Sequence, residues 1–190
     1  MRTPVIAVLL LVSIVAGCGR TATNNGTYAT DTVYSTSTAA LKSSKIPDFI
    51  FSMSKLRHLT ITGMDCDYGD DTNCWMIREI PKEIVRLKNL QSLSLNVNSI
   101  SMLPEEIGEL QSLRSLNLSD NPGLQNIDAV TGLENMEELL LFGCGLDSLP
   151  ADISKLRKLT CLGLTGNNIS SAQLSSIKAA LPGCRIVFTR

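Results

Sequence analysis

One spacing limits what this chain can fold into. Leu90, Leu113, Met136 and Leu159 recur every 23 residues. Each is followed by Leu93, Leu116, Leu139 or Leu162, and then by Leu95, Leu118, Leu141 or Leu164. At the ninth position of each unit stand Asn98, Asn121, Cys144 and Asn167. A second phrase keeps the same period. Ile80-Pro81, Leu103-Pro104 and Leu149-Pro150 are followed by Ile84, Ile107 and Ile153, and then by Leu87, Leu110 and Leu156. A period of this length is the mark of stacked structural units. Alternate side chains of a Leu-x-Leu strand share one face. One unit cannot bury its leucines alone, but neighbours in a stack share a continuous core.

The pattern L-x-x-L-x-L-x-x-N/C resembles the leucine-rich repeat. The phrase L-P-x-x-I-x-x-L resembles the 23-residue class found in bacterial and Ras-associated repeats. The resemblance implies an α/β solenoid. A parallel sheet of about six short strands would line the concave face, with short helical or irregular segments on the convex face. Ile46-Pro47, Ile50, Met53, Leu56, Leu59 and Ile61 form an earlier unit, and the extra residues before the next unit fall near Asp65–Trp75. The unit after Asn121 lacks the Leu-Pro step, so a local irregularity is expected there without loss of the fold. Ser170 or Ser171 caps an expected helix carrying Leu174, Ile177 and Leu181, which Pro182-Gly183 stops. With a last strand around Ile186 and Phe188, it would close the C-terminal end of the core. The repeat domain is set at residues 46–190, with the insertion at about 65–75.

The position-nine asparagines are expected to turn inward, pairing their amides with backbone groups of adjacent turns. Buried peptide groups without partners are costly, so Asn98, Asn121 and Asn167 read as a structural ladder. Cys144 takes one rung, where a buried thiol reads as core.

The N-terminus reads as an address. Arg2 precedes the apolar run Val5–Ala16, too short to span a bilayer as a helix and suited to a secretory signal. The run ends in Val15-Ala16-Gly17-Cys18, which resembles the lipobox of bacterial lipoproteins. That resemblance implies cleavage after residue 17, leaving Cys18 as the acylated N-terminus. The expected location is the bacterial cell envelope, on an outer membrane or cell surface, because Gly19 replaces the Asp of the enteric inner-membrane retention signal. Residues 18–45, rich in Thr, Ser, Ala and Asn, read as the lipidated cysteine and a flexible tether. Asp31-Thr32-Val33 resembles an acceptor motif of some bacterial O-glycosylation systems, although a solvated linker is the simpler reading.

Export permits disulfides. Cys66 and Cys74 bracket the insertion, and a local bridge between them is expected to stabilise it by roughly 2–3 kcal/mol. Pairing of Cys161 with Cys184 looks geometrically poor, since one faces the concave side and the other the core. Asp65, Asp67, Asp70 and Asp71 share the insertion. Their spacing is not that of an EF-hand, and they read as a solvated acidic loop rather than a calcium site.

Function classes narrow quickly. Seventeen Lys and Arg against eighteen Asp and Glu give a formal charge of −1, with no general attraction to nucleic acid. One histidine, His58, excludes a multi-histidine metal site. No G-x-S-x-G, H-E-x-x-H or P-loop occurs, so the reading is non-enzymatic, without cofactor or metal. Binding should use the outward positions of the strands. Asn96, Asn117, Ser119 and Glu138 are polar candidates there. Leu140 and Phe142 are expected to point the same way as apolar anchors, unless the tether, the cap or a neighbouring side chain covers them. The expected function is a lipid-anchored module that holds another protein on its concave face. The alternative is a structural surface lipoprotein whose Ser, Thr and Asn rows bind glycan or envelope material.

Overall fold

The structure is a computed structural model that describes residues 27–63 and 74–189. The expected signal peptide, Cys18 and Cys66 lie outside the described residues, as do all four aspartates of the insertion. Eight described strands form one sheet in strict chain order. They are β1 (Tyr28–Ala29), β2 (Val33–Ser37), β3 (His58–Thr62), β4 (Ser92–Ser94), β5 (Ser115–Asn117), β6 (Glu138–Leu140), β7 (Cys161–Gly163) and β8 (Arg185–Val187). The first pair is antiparallel and every later pair is parallel.

The register follows the period. Leu59, Leu93, Leu116, Leu139, Leu162 and Ile186 stand beside one another across β3 to β8. They and the following Ile61, Leu95, Leu118, Leu141 and Leu164 point into one core, all buried except the half-buried Ile186. The L-P-x-x-I-x-x-L phrase forms short 3-10 helices on the opposite side: Asp48–Ser52, Lys82–Arg86, Glu105–Glu109 and Ile153–Lys155. In the first three, proline precedes the first helical residue in extended conformation, and the residue ending each helix donates back to the buried Ile. A 3-10 turn suits so short a segment because it closes with few residues. Asp128–Gly132 forms the equivalent helix without the Leu-Pro step, keeping Leu124, Ile127 and Val130 buried. Its Gly132 packs on Gly108, where a Cβ would lie 3.0 Å from Gly108 backbone atoms.

The N-terminal boundary differs from the expected tether over 18–45. From Tyr28 onward that stretch is structured. β1 and β2 form a hairpin, and β2 extends the parallel sheet through Tyr34 beside Leu59 and Thr36 beside Ile61. Tyr34, Thr36 and Thr38 are buried, with the Tyr34 ring edge-on to Phe49 at 5.6 Å between centroids. Ser37 caps α1 (Thr38–Leu41) by accepting from the Ala40 N–H, and Lys42 ends it in the left-handed region. The segment has no independent periodicity. Its Val, Tyr and Thr side chains become a strand because the edge of β3 offers unpaired peptide groups and an open core. This adds two strands to the expected six and covers the N-terminal end of the solenoid.

At the other end, α2 (Ser171–Ala180) starts with a capping box between Ser170 and Gln173 and buries Ile177. With β8 it covers the last repeat. No described helix is long and apolar enough to cross a membrane.

Candidate binding surface

Each repeat turns at the same point. Val97, Asp120, Gly143 and Gly166 all have positive φ, at 57°, 56°, 63° and 78°. The left-handed residue ends the strand and sends the next side chain inward. That next residue is Asn98, Asn121, Cys144 or Asn167. Asn121 is fully buried. Its Oδ1 accepts from Ile100 N–H at 2.9 Å, and its Nδ2 donates to the Leu95 and Leu118 carbonyls at 3.0 and 2.8 Å. Asn98 does the same for Ile77 N–H at 2.8 Å and for the Ile61 and Leu95 carbonyls at 3.1 Å. Asn167 serves Leu146 N–H at 2.8 Å and the Leu141 and Leu164 carbonyls.

Cys144 donates its thiol to the Leu118 carbonyl at 3.2 Å but brings no amide oxygen. The N–H one turn back, the counterpart of Ile77 and Ile100, belongs to Gly123, which stands exposed to water. The missing Leu-Pro step and the missing Asn therefore fall on the same turn. Burial pushes the Cys144 thiol up to about 11, so it stays protonated and inert at neutral pH. Among the described residues the free thiols are Cys144 and Cys184, while Cys74 and Cys161 are not free. The expected Cys66–Cys74 bridge involves Cys66, which lies outside the described residues.

A second ladder runs along the rim where the convex segments meet the strands. Asn89, Ser112 and Asn135 donate to the carbonyls of Ser54, Lys88 and Gln111 at 2.8, 2.7 and 2.8 Å. Sequence reasoning missed it, although the 23-residue spacing of these three polar residues was its signal.

The strands present three concave rows. One contains His58, Ser92, Ser115, Glu138, Cys161 and Arg185, and the next contains Thr60, Ser94, Asn117, Leu140, Gly163 and Val187. At the end of β3 and just beyond the ends of β4 to β7, Thr62, Asn96, Ser119, Phe142 and Thr165 form a third. The polar members brace one another. Asn96 Oδ1 accepts from the hydroxyls of Thr62 and Ser94, both at 3.2 Å. Asn117 Oδ1 accepts from Ser119 N–H at 3.0 Å, and Ser119 Oγ accepts from Phe142 N–H at 3.3 Å. Ser115 donates to Glu138 Oε2 at 2.9 Å.

Leu140 and Phe142 lie on this side, apart from the main core, but they are not open anchors. Leu140 is 4% exposed, Phe142 7% and Cys161 8%, packed together with Val187 against them. The reason is Gly163. A Cβ there would lie 2.4 Å from Phe142 Cζ, so the ring occupies the space that a side chain on β7 would fill. Ser119 is also buried, at 5%. Asn96, Asn117 and Glu138 remain half-buried and reachable. His58 is exposed at the N-terminal end, and partial burial and then the Arg57 charge hold its imidazole below the ordinary range. No group of three His, Cys, Asp or Glu among the described residues is placed to hold a metal.

Residues 88–132 match the family described as Leucine Rich repeats (2 copies). A leucine-rich repeat protein of Leptospira interrogans is similar in structure, with TM-score 0.65 and 30% identity over 76% of this chain and 34% of that one. The leucine-rich repeat domain of the type III effector XopL has TM-score 0.56 and 29% identity over 76% of this chain and 57% of that one. The plant peptide hormone receptor RGFR1, solved in complex with RGF2, has TM-score 0.55 and 23% identity over 76% of this chain and 22% of the receptor. The chain thus spans about a third of the length of the Leptospira protein. The search of curated proteins finds no match. The in-register parallel strands, the inward Asn rungs and these likenesses make the chain a leucine-rich repeat solenoid, a fold commonly used as a protein-interaction module.

Proposed function

We propose that this protein is a lipid-anchored, non-enzymatic module that holds another protein on its concave face. The observation that carries the reading is the state of that face. Asn96, Asn117 and Glu138 are half-buried, held in fixed orientations by their neighbours, and set beside the apolar cluster of Leu140, Phe142, Cys161 and Val187. Polar groups that are already oriented lose little entropy on binding. The structural likeness to RGFR1, solved with RGF2, supports the reading at the level of fold only.

Photocrosslinking in source cells tests it, with the reactive group at Asn117 and a control at convex Glu106. A protein adduct from position 117 alone supports the reading. If position 117 gives none in folded protein, and the protein is retained on polysaccharide resin, weight moves to the glycan-binding alternative, for which Thr60, Ser92 and Ser94 supply hydroxyls.

The anchor rests on the Val15-Ala16-Gly17-Cys18 motif, and the reading assigns the protein to a bacterial cell envelope, lipid-anchored to an outer membrane or cell surface. Mass analysis of the N-terminal peptide should find Cys18 acylated, and Cys18→Ser should leave the uncleaved protein. The Cys66–Cys74 bridge is part of the same proposal, since export permits it. Mapping of unreduced peptides should recover that pair, and a free Cys66 would remove it.

A further inference from the structure

The concave face carries a carboxylate with no ion-pair partner among the described residues. Glu138 is a concave residue of β6, and Ser115 holds its Oε2 at 2.9 Å. Its Oε1 has no hydrogen bond or ion pair among the described residues. Arg114 precedes Ser115 and is the cation closest in register, but it is ion-paired with Glu137 instead. Arg185 lies two strands away by register, roughly 10 Å at ordinary strand spacing. In the three rows from β2 to β8, Glu138 and Arg185 are the charged side chains besides the near-neutral His58. An unpaired carboxylate on a recognition face selects for an opposite charge. Diagonal to it on β5, Asn117 has its Oδ1 tied to Ser119 N–H, and its Nδ2 has no hydrogen-bond partner among the described residues.

Resting on the protein-binding reading above, we propose that the face recognises a protein segment bearing a Lys or Arg side chain. The ammonium or guanidinium group pairs with Glu138, and a main-chain carbonyl of the same segment accepts from Asn117. Charge complementarity selects this occupant: the rows offer one anion, on β6 and two strands from Arg185, and near it a neutral donor.

The test is selection of random linear peptides displayed on phage against the full chain in detergent. Selected peptides should share a Lys or Arg and bind about tenfold more weakly to Glu138→Gln, which keeps the shape and removes the charge. Glu106→Gln on the convex side should bind them unchanged. Glu138→Lys should recover binding to the same peptides with the basic residue changed to Glu, which separates charge recognition from damage to the fold. Ser94→Arg, which fills the face, should abolish binding. Peptides that are lost with Ser94→Arg but bind Glu138→Gln like the parent overturn the charge proposal and leave the protein-binding reading standing. If no selected peptide is sensitive to Ser94→Arg, both fail.

Discussion

Cys144 Sγ donates to the Leu118 carbonyl at 3.2 Å, the same oxygen that Asn121 Nδ2 reaches at 2.8 Å from the turn before. Two rungs of the ladder meet on one acceptor, with unequal consequences. Asn121→Ala removes an acceptor from the buried Ile100 N–H and donors from two carbonyls, and should cost on the order of 2–4 kcal/mol. Cys144→Ala removes one weak donor and a small apolar volume, and should cost about 1 kcal/mol. Urea denaturation of the two variants would check the order, and equal losses would contradict the ladder account.

Val97 and Asp120 take the same left-handed turn one repeat apart. A β-branched side chain is poorly suited to that region, at a cost of roughly 1–2 kcal/mol. Val97→Asn should therefore raise the melting temperature by a few degrees. Gly166→Val should lower it, because a Cβ there falls 3.1 Å from the Gly143 backbone on a residue with φ of 78°.

Tyr34 separates an ordered cap from a tether. A solvated linker residue can be truncated without effect, whereas Tyr34 is 5% exposed and rests on Phe49. Tyr34→Ala should destabilise the domain by about 3 kcal/mol. Calorimetry showing an unchanged melting temperature would return residues 28–41 to the linker.

Gly163 sets the concave cluster. Gly163→Val places a branched side chain where the Phe142 ring now lies, so the ring must move or the strands must part. The expected result is a loss of roughly 1–3 kcal/mol and a changed phenylalanine signal in near-ultraviolet circular dichroism. Gly123→Ala, with nothing within 4 Å of its Cβ, is the matched control and should be near neutral.

The two free thiols should differ in reactivity. Burial raises both, Cys144 from 9.0 to about 11 with full burial and Cys184 with partial exposure. A disulfide reagent at pH 8 should label Cys184 first and Cys144 only after unfolding. Because folding raises the Cys144 value, the folded state holds the proton more tightly than the unfolded chain. Its contribution to stability is complete below about pH 9 and is lost as pH rises toward about 11. Cys144→Ala should flatten that part of the alkaline stability profile.

The repeat was readable because burial writes itself into the order of residues. Leu93, Leu116, Leu139 and Leu162 lie side by side because the 23-residue period leaves no other register that buries them together. The C-terminal helix was readable from Ser170, its apolar spacing and Pro182-Gly183. The concave membership of Asn96, Asn117 and Glu138 followed from strand alternation. How far each is exposed did not, since accessibility depends on what the neighbouring strand places alongside.

Sequence alone therefore determined the quantities that repeat: the solenoid, its register, the inward rungs and the faces of its strands. Tertiary structure decided what happens once. Residues 33–37 became a strand because β3 offered an open edge, a partner 25 residues away at Thr36 and Ile61 that no local pattern announces. Val97 entered the left-handed region because the stack of turns at Asp120, Gly143 and Gly166 requires it there. Phe142 was withdrawn from the surface because Gly163, on the next strand, has no side chain to hold it off. In each case the deciding atoms belong to a neighbouring turn, and only the packed solenoid brings them together.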